Sequence, residues 1–349
     1  MKIYLDDHLY SPFLAPFTTT RHLAEMRVGI LTIAEKWQIL TDAEIVLCSG
    51  KEKVEDGCIV PAHLIPTLSN VDLILKAAAQ NNAFDLIPNL LQVTMPWHLF
   101  MLNTTAITED FEIMTAGRIS APIPAGTRVI APERIFIEPG AQVLMSSLNA
   151  TDGPIYIGKN VLLMEGSLIR GPFAACEGAV VKMGATIYSG TTVGPYCVVG
   201  GEIKNSILMG YSNKAHEGYL GDSVIGEWCN LGAGTSNSNV KNTGGLVKYI
   251  TGKDKIAEIA GHKAGLLMGD YSRAAINTSF NTGTLVGVCC NIFGEMPAKY
   301  VNHFSWGKER YIFEKALVDI ANWKKMKGRV LSEAEITTLQ NIYLSTQQQ

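Results

Sequence analysis

The chain has 349 residues, 29 basic against 32 acidic side chains and a net charge of −3, enough length for a sizeable core and about two domains. That balance gives no bulk attraction to nucleic acid or to an anionic membrane. No apolar run reaches membrane-spanning length, the opening MKIYLDDHLY lacks a signal-peptide apolar core, and the seven cysteines without CxxC spacing read as buried thiols in a reducing cytoplasm.

Residues 1–95 predict an α/β unit, with a strand at Lys2–Leu5, a helix around Ile30–Ile39, a strand at Glu44–Leu47 and a helix at Leu73–Gln80. Asp6 and Asp7 close the first strand and read as a solvated turn. Residues 96–118 predict a helical connector, with Leu99, Leu102, Ala106 and Phe111 at roughly helical spacing. From Ile119 to Phe293 the chain is Gly-rich and poor in helix signals.

Within that stretch an aliphatic or small residue recurs at almost every sixth position: Ile157, Leu163, Ile169, Ala175, Val181, Ile187, Val193 and Val199. The pattern resumes at Ile203, Met209 and Ala215, shortens at Leu220 and Ile225, and closes at Leu231. Neither a helix nor an alternating strand has this period; a parallel β-helix does, each hexad being one short strand plus a corner. The aliphatic residue is expected to point into the shaft. Beyond it, Phe313, Ala316, Leu317, Ile320 and Trp323 form an amphipathic stripe, and Ser332 with Glu335 makes a capping box for a last helix carrying Ile336, Leu339 and Tyr343.

The slot after each aliphatic residue should be small, yet Arg170, Lys182, Tyr188, Lys204 and His216 occupy it. Long cationic side chains at corners can simply reach into water. They also suit an anionic ligand held between packed β-helices, where lysine brings charge and arginine a bidentate fork. His216 is the only histidine within the regular repeat. An ammonium must lose a proton before it attacks a thioester carbonyl, and imidazole can accept that proton near neutral pH. No GxSxG elbow or catalytic-cysteine signature is present, so direct transfer is simpler than a covalent acyl-enzyme.

The stretch from Lys204 through His216, Tyr219, Gly221-Asp222, Ile225-Gly226 and Asn230-Leu231-Gly232-Ala233-Gly234-Thr235 to Asn239 has a specific spacing, approximately K-x(11)-H-x-x-Y-x-G-D-x-x-I-G followed by N-[IL]-G-A-G-T-x-x-x-N. It resembles the acetyltransferase half of the bifunctional N-acetylglucosamine-1-phosphate uridyltransferase / glucosamine-1-phosphate acetyltransferase (GlmU-like) family. The resemblance implies His216 as general base toward a sugar amine, with acetyl-CoA as co-substrate. It implies Tyr219, Asn230 and Lys204 as sugar-phosphate contacts, and Lys182 where the family has a phosphate-binding arginine. It further implies Asn239 in the acetyl pocket, with Gly234 nearby on the acetyl-CoA side. The family continues as N-Y-D-G and a lysine, whereas this chain reads Asn239-Val240-Lys241-Asn242-Thr243; Lys241 or Lys248 would have to substitute.

The family's opening Gly-rich phosphate loop is missing. In its place stand Leu14-Ala15-Pro16-Phe17-Thr18-Thr19-Thr20-Arg21 and Arg27-Val28-Gly29-Ile30-Leu31, similar to the P-L-T-x-x-R opening of sugar nucleotidyltransferases, while Pro96-Trp97-His98-Leu99 is similar to their P-W-D-L segment. Arg21 and Arg27 are the nucleotide-binding candidates. The whole chain resembles the short GlmU-like sugar nucleotidyltransferase subgroup. The expected architecture is a shortened nucleotidyltransferase-like α/β domain (1–95), a helical connector (96–118), a left-handed parallel β-helix acyltransferase domain (119–306) and C-terminal helices (307–349). The resemblance also implies a cytoplasmic homotrimer, with Mg needed only if the N-terminal domain is active, and no metal site otherwise.

Two other functions stay open. One is a sugar-1-phosphate nucleotidyltransferase whose β-helix serves trimerisation; the missing glycine loop argues against it. The other is a non-catalytic scaffold or ligand-binding protein, against which stands the intact His216–Asn239 pattern. A β-helix carbonic anhydrase would need three converging histidines, but His262 and His303 lie in other segments and no HxxxxH spacing occurs.

Overall fold

A computed structural model describes residues 2–50, 56–80, 84–251 and 256–346. The chain begins with three parallel strands, β1 (Lys2–Asp6), β2 (Glu44–Cys48) and β3 (Gly57–Pro61), with β1 in the middle. Helix α1 (Ile33–Thr41) starts three residues later than the periodicity suggests. Thr32 caps it, accepting from the Glu35 N–H while the Glu35 carboxylate takes the Thr32 N–H, so Ile30 and Leu31 stay in the preceding loop. Helix α2 (Val71–Ala79) and the long helix α3 (His98–Thr115) lie close to their expected positions. β3 carried no clear periodic signal in the sequence.

From Arg128 the chain winds into a left-handed parallel β-helix of about ten turns. Its flanks form a 10-stranded sheet and a 13-stranded sheet, the latter carrying two flanks joined by the long strands Glu202–Gly210 and Tyr219–Glu227. One inward column runs Leu148, Ile169, Ile187, Ile203, Leu220, and another Ile157, Ala175, Val193, Leu208, Ile225. These side chains are almost fully buried and make one continuous apolar core. Stacking identical corners in this way gives every coil the same neighbours, which is why a six-residue period survives in the sequence.

The hexad reading slips by one residue in the middle of the shaft. Leu208, not Met209, points inward, and Lys214, not Ala215, fills the next interior position. Met209 instead faces outward into a second core built by the N-terminal region, with Leu5, Phe17, Trp37, Leu64 and Phe100. Ile207, Val224, Leu267 and Leu285 of the β-helix belong to that same core, so the N-terminal lobe is packed along a flank of the shaft. An antiparallel hairpin, Val247–Thr251 with Ile256–Gly261, leaves the coil and returns.

Helices α4 (Phe313–Met326) and α5 (Glu333–Ser345) cover the far corner, and Ser332 and Glu335 form the expected capping box. There the corner residues Tyr196, Tyr211 and Trp228 stack with centroids 5.2 and 4.3 Å apart. Lys324 of α4 lies over the Trp228 ring. No helix among the described residues is long and apolar enough to cross a membrane.

Candidate active site

Lys182, Gly200-Gly201, Ala215–Gly218 and Gly232–Gly234 stack on one corner of consecutive coils. A Cβ on Gly200 would lie 2.6 Å from the Ala215 oxygen and 3.3 Å from the Lys182 Cβ, and one on Gly201 would lie 2.8 Å from the His216 oxygen. The His216 side chain is exposed at this corner, and among the described residues no group hydrogen-bonds its imidazole. Lys182 is half-buried two coils below, with Gly200 between.

The next strands bring up the remaining groups. Lys204 is in register with Gly221, and Glu202 with Tyr219. The Lys204 ammonium lies 5.9 Å from the Tyr188 ring centroid, a cation resting beside an aromatic face. Tyr219 is half-buried; loss of solvent, with the nearby Asp222 charge, pushes its phenol up to about 12, so it stays neutral. Gly221 makes room for it, since a Cβ there would fall 2.2 Å from the Tyr219 oxygen.

Asp222 organises this cluster. Its buried carboxylate can only accept, so the Asn205 and Asn239 side chains must turn their N–H groups toward it. Asn205 donates to Oδ1 at 2.7 Å, and Asn239 donates to Oδ2. Asn239 Nδ2 also donates to the Tyr219 oxygen at 3.0 Å. With its amide nitrogen thus engaged, Asn239 presents an oxygen, an acceptor and not a donor, toward any bound molecule. Asp222 lay inside the sequence pattern but carried no assignment; the signal available was a carboxylate directly after a glycine at a coil corner.

The other candidates lie elsewhere or are already engaged. Asn230 sits on the flat 10-stranded flank, level with Asn213 and Arg273, and accepts from Asn213 Nδ2 at 3.3 Å. Asn213 in turn accepts from Lys327 at the end of α4, so within one chain no bond ties Asn230 to the Tyr219 cluster. Gly234 forms a left-handed turn on the His216 corner. The Lys241 ammonium is held by the Leu246 carbonyl, and Lys248 is exposed on the hairpin.

The nucleotide-binding candidates Arg21 and Arg27 already have partners within the chain. Arg21 is largely but not fully buried and bound to Asp270, with Glu227 at 3.1 Å; desolvation opposes its charge, but these two carboxylates outweigh that and hold the guanidinium firmly ionised. Arg27 is similarly placed, donating to the Ile30 carbonyl with Glu35 at 3.6 Å. The backbone N–H groups that follow are spent as well. Gly29 donates to Asn103 Oδ1 at 2.7 Å, and Ile30 and Leu31 donate to Asp110 Oδ2 at 2.7 and 3.0 Å. Asn103 also reaches Gly190 of the β-helix, and Lys36 pairs with Asp110. These bonds join the lobe to the shaft.

Two cavities, of about 240 and 290 Å³, lie away from His216, one between Arg27 and Lys159, the other beside Tyr196 and Arg329. Neither contains the residues of the His216 corner. Among the described residues no group of three or more His, Cys, Asp or Glu side chains is placed to hold a metal ion.

The fold and this corner define a hexapeptide-repeat β-helix protein with an attached α/β lobe. Residues 3–52 match the family model described as sugar nucleotidyl transferase. The chain is similar to the bifunctional protein GlmU of Methanocaldococcus jannaschii, 36% identical over 89 residues, which cover 26% of this chain and 21% of that protein. It is similar to the bifunctional protein GlmU of Thermus thermophilus, 32% identical over 139 residues, covering 33% and 30% of the two chains. A bifunctional sugar-1-phosphate nucleotidylyltransferase/acetyltransferase of Sulfurisphaera tokodaii is 35% identical over 101 residues, covering 29% of this chain and 24% of that one. The chain thus matches less than a third of the length of each of these curated relatives.

Proposed function

We propose that the protein is a transferase that moves an acyl group from acetyl-CoA to the amine of an amino-sugar phosphate, with His216 as general base and no covalent acyl-enzyme. The observation that carries this reading is the corner itself: an exposed imidazole on the same edge of the shaft as Lys182, with Asn239 held by the buried Asp222 carboxylate and donating in turn to Tyr219. Lys182 and Lys204 supply charge for a phosphate, and neutral His216 takes the proton as the amine attacks the thioester carbon. The thiol of CoA leaves as the C–S bond breaks and the amide forms. The Asn239 oxygen is suited to accept from the attacking amine or from an amide of the pantetheine arm.

One chain offers only an open, shallow corner, and a cleft deep enough for CoA needs a second wall. We place that wall on a neighbouring copy in a homotrimer, where cyclic packing makes three equivalent sites. Asn230, on the adjoining flank, then serves the neighbouring site. A thiol-release assay with acetyl-CoA across a panel of amino-sugar phosphates tests the reading; release that none of the amines stimulates would reject it.

The match of residues 3–52 to the sugar nucleotidyl transferase family favours a second reading, nucleotidyl transfer in the lobe with Mg as cofactor. Against it stand the engaged Arg21 and the spent N–H groups of Gly29, Ile30 and Leu31. Pyrophosphate release from UTP or dTTP with a sugar-1-phosphate separates the two.

A further inference from the structure

We infer that Lys214 is a positioning residue, a cation inside the β-helix shaft that fixes the His216–Glu217 turn and so sets where the imidazole points. The inference rests on the reading of His216 as general base. Lys214 occupies an interior column in which the coils below carry Val143, Leu163, Val181 and Val199. It has no exposed surface at all. Seating an ammonium where a valine or leucine fits costs several kcal/mol unless its protons find good acceptors.

Lys214 finds them in one place. Its Nζ donates to the His216 carbonyl at 2.7 Å and to the Glu217 carbonyl at 2.9 Å. Among the described residues no backbone N–H reaches either oxygen. The turn carries the large left-handed φ of Gly218 (113°), and a Cβ at Gly218 would fall 2.2 Å from the Thr235 oxygen, so the turn has no room for a side chain there. An aliphatic residue at 214 would fill the shaft equally well but would leave two inward-facing carbonyls unpaired. Burial brings the Lys214 ammonium down to about 8, with the Glu217 charge acting in the opposite direction. The group is thus still mostly charged at neutral pH.

A chain selected only for packing would carry leucine here. Lysine exchanges shaft stability for a defined corner, and the corner is the one that presents His216. Misplacing a reacting group by about 1 Å can cost about 100-fold in rate.

The test is Lys214→Met, which keeps the length of the side chain and removes its donors. It is measured for melting temperature, for kcat and KM with acetyl-CoA and the best amino-sugar phosphate, and for amide hydrogen exchange in the peptide spanning 213–220. The expected result is a melting temperature that changes little, the relief of a buried ammonium offsetting two unpaired carbonyls, with faster exchange in that peptide and a kcat lower by about 10- to 100-fold at nearly constant KM. Lys214→Gln, which retains one donor group, should recover part of both losses, and it serves if the methionine variant does not fold. A folded Lys214→Met protein with wild-type kcat and wild-type exchange overturns the inference. If the wild type itself releases no thiol with any amine, the acyl-transfer reading falls, and the exchange measurement alone then decides whether Lys214 holds the turn.

Discussion

Arg21 and Asp270 stand 249 positions apart in the chain and meet as an ion pair that is almost wholly buried between the lobe and the β-helix. Thr20 adds a bond of 2.6 Å to the same carboxylate oxygen, and Asp270 Oδ1 accepts the Glu227 N–H at 2.8 Å. Removing Arg21 leaves the Asp270 charge buried without its counter-ion. Arg21→Ala should therefore cost about 3–5 kcal/mol, read as a lower urea midpoint at constant slope. A cost below about 1 kcal/mol, the range of a surface pair, would show that the joint does not depend on it.

His216→Ala should lower kcat by roughly 10²–10⁴-fold while acetyl-CoA binding and the melting temperature change little, because the side chain is exposed and supports no packing. Near-normal turnover by the folded variant would remove the catalytic assignment.

Asp222→Ala should reach further than its size suggests. It frees both Asn205 and Asn239, and leaves their half-buried amides short of an acceptor, at a cost of about 1 kcal/mol. Turnover should fall together with stability, whereas Lys182→Ala and Lys204→Ala should raise KM for the phosphorylated sugar and leave kcat nearly intact. Steady-state kinetics on the three variants checks the division; equal kcat losses in all three would contradict it.

Acid should weaken the fold through two histidines away from the corner. Burial brings His303 down to about 4, and its Nδ1 accepts the Val288 N–H at 2.9 Å, a bond that protonation there would break. His63, against the Tyr10 ring, is likewise lowered by burial to about 4, with Gln92 partly offsetting the effect. The unfolded chain binds these protons more readily, so their contribution is complete above an unfolded pKa of about 6.5 and is lost as pH falls toward 4. Urea midpoints at pH 7 and 5 should differ by the equivalent of about 3–4 kcal/mol, and His303→Asn should remove about half of the difference.

The shaft was legible because its columns repeat. Ile157, Ala175 and Val193 stack in register, and one period describes them all. Legibility failed where the coil shortened: the step from Ile203 to Leu208 moved the phase by one residue, put Met209 outside and hid Lys214 inside. The His216 corner was visible as a local string. The engagement of Arg21 and of the Gly29–Leu31 amides was not, because their partners Asp270, Asn103 and Asp110 come from distant segments. A basic residue waiting for phosphate and one already paired look alike in sequence.

A bare solenoid frays from its ends, because each coil touches only the coils beside it. Here Ile207, Val224, Leu267 and Leu285, from successive coils, are all fastened to one lobe core, which acts as a splint across several rungs of the ladder. Those rungs can separate only after the lobe has let go, so the middle of the shaft should be its most persistent part. The His216 turn belongs to that splinted zone. Lesions in the lobe, far from any sugar or thioester, can therefore present as loss of turnover, and a genetic screen for activity would collect them alongside true active-site changes.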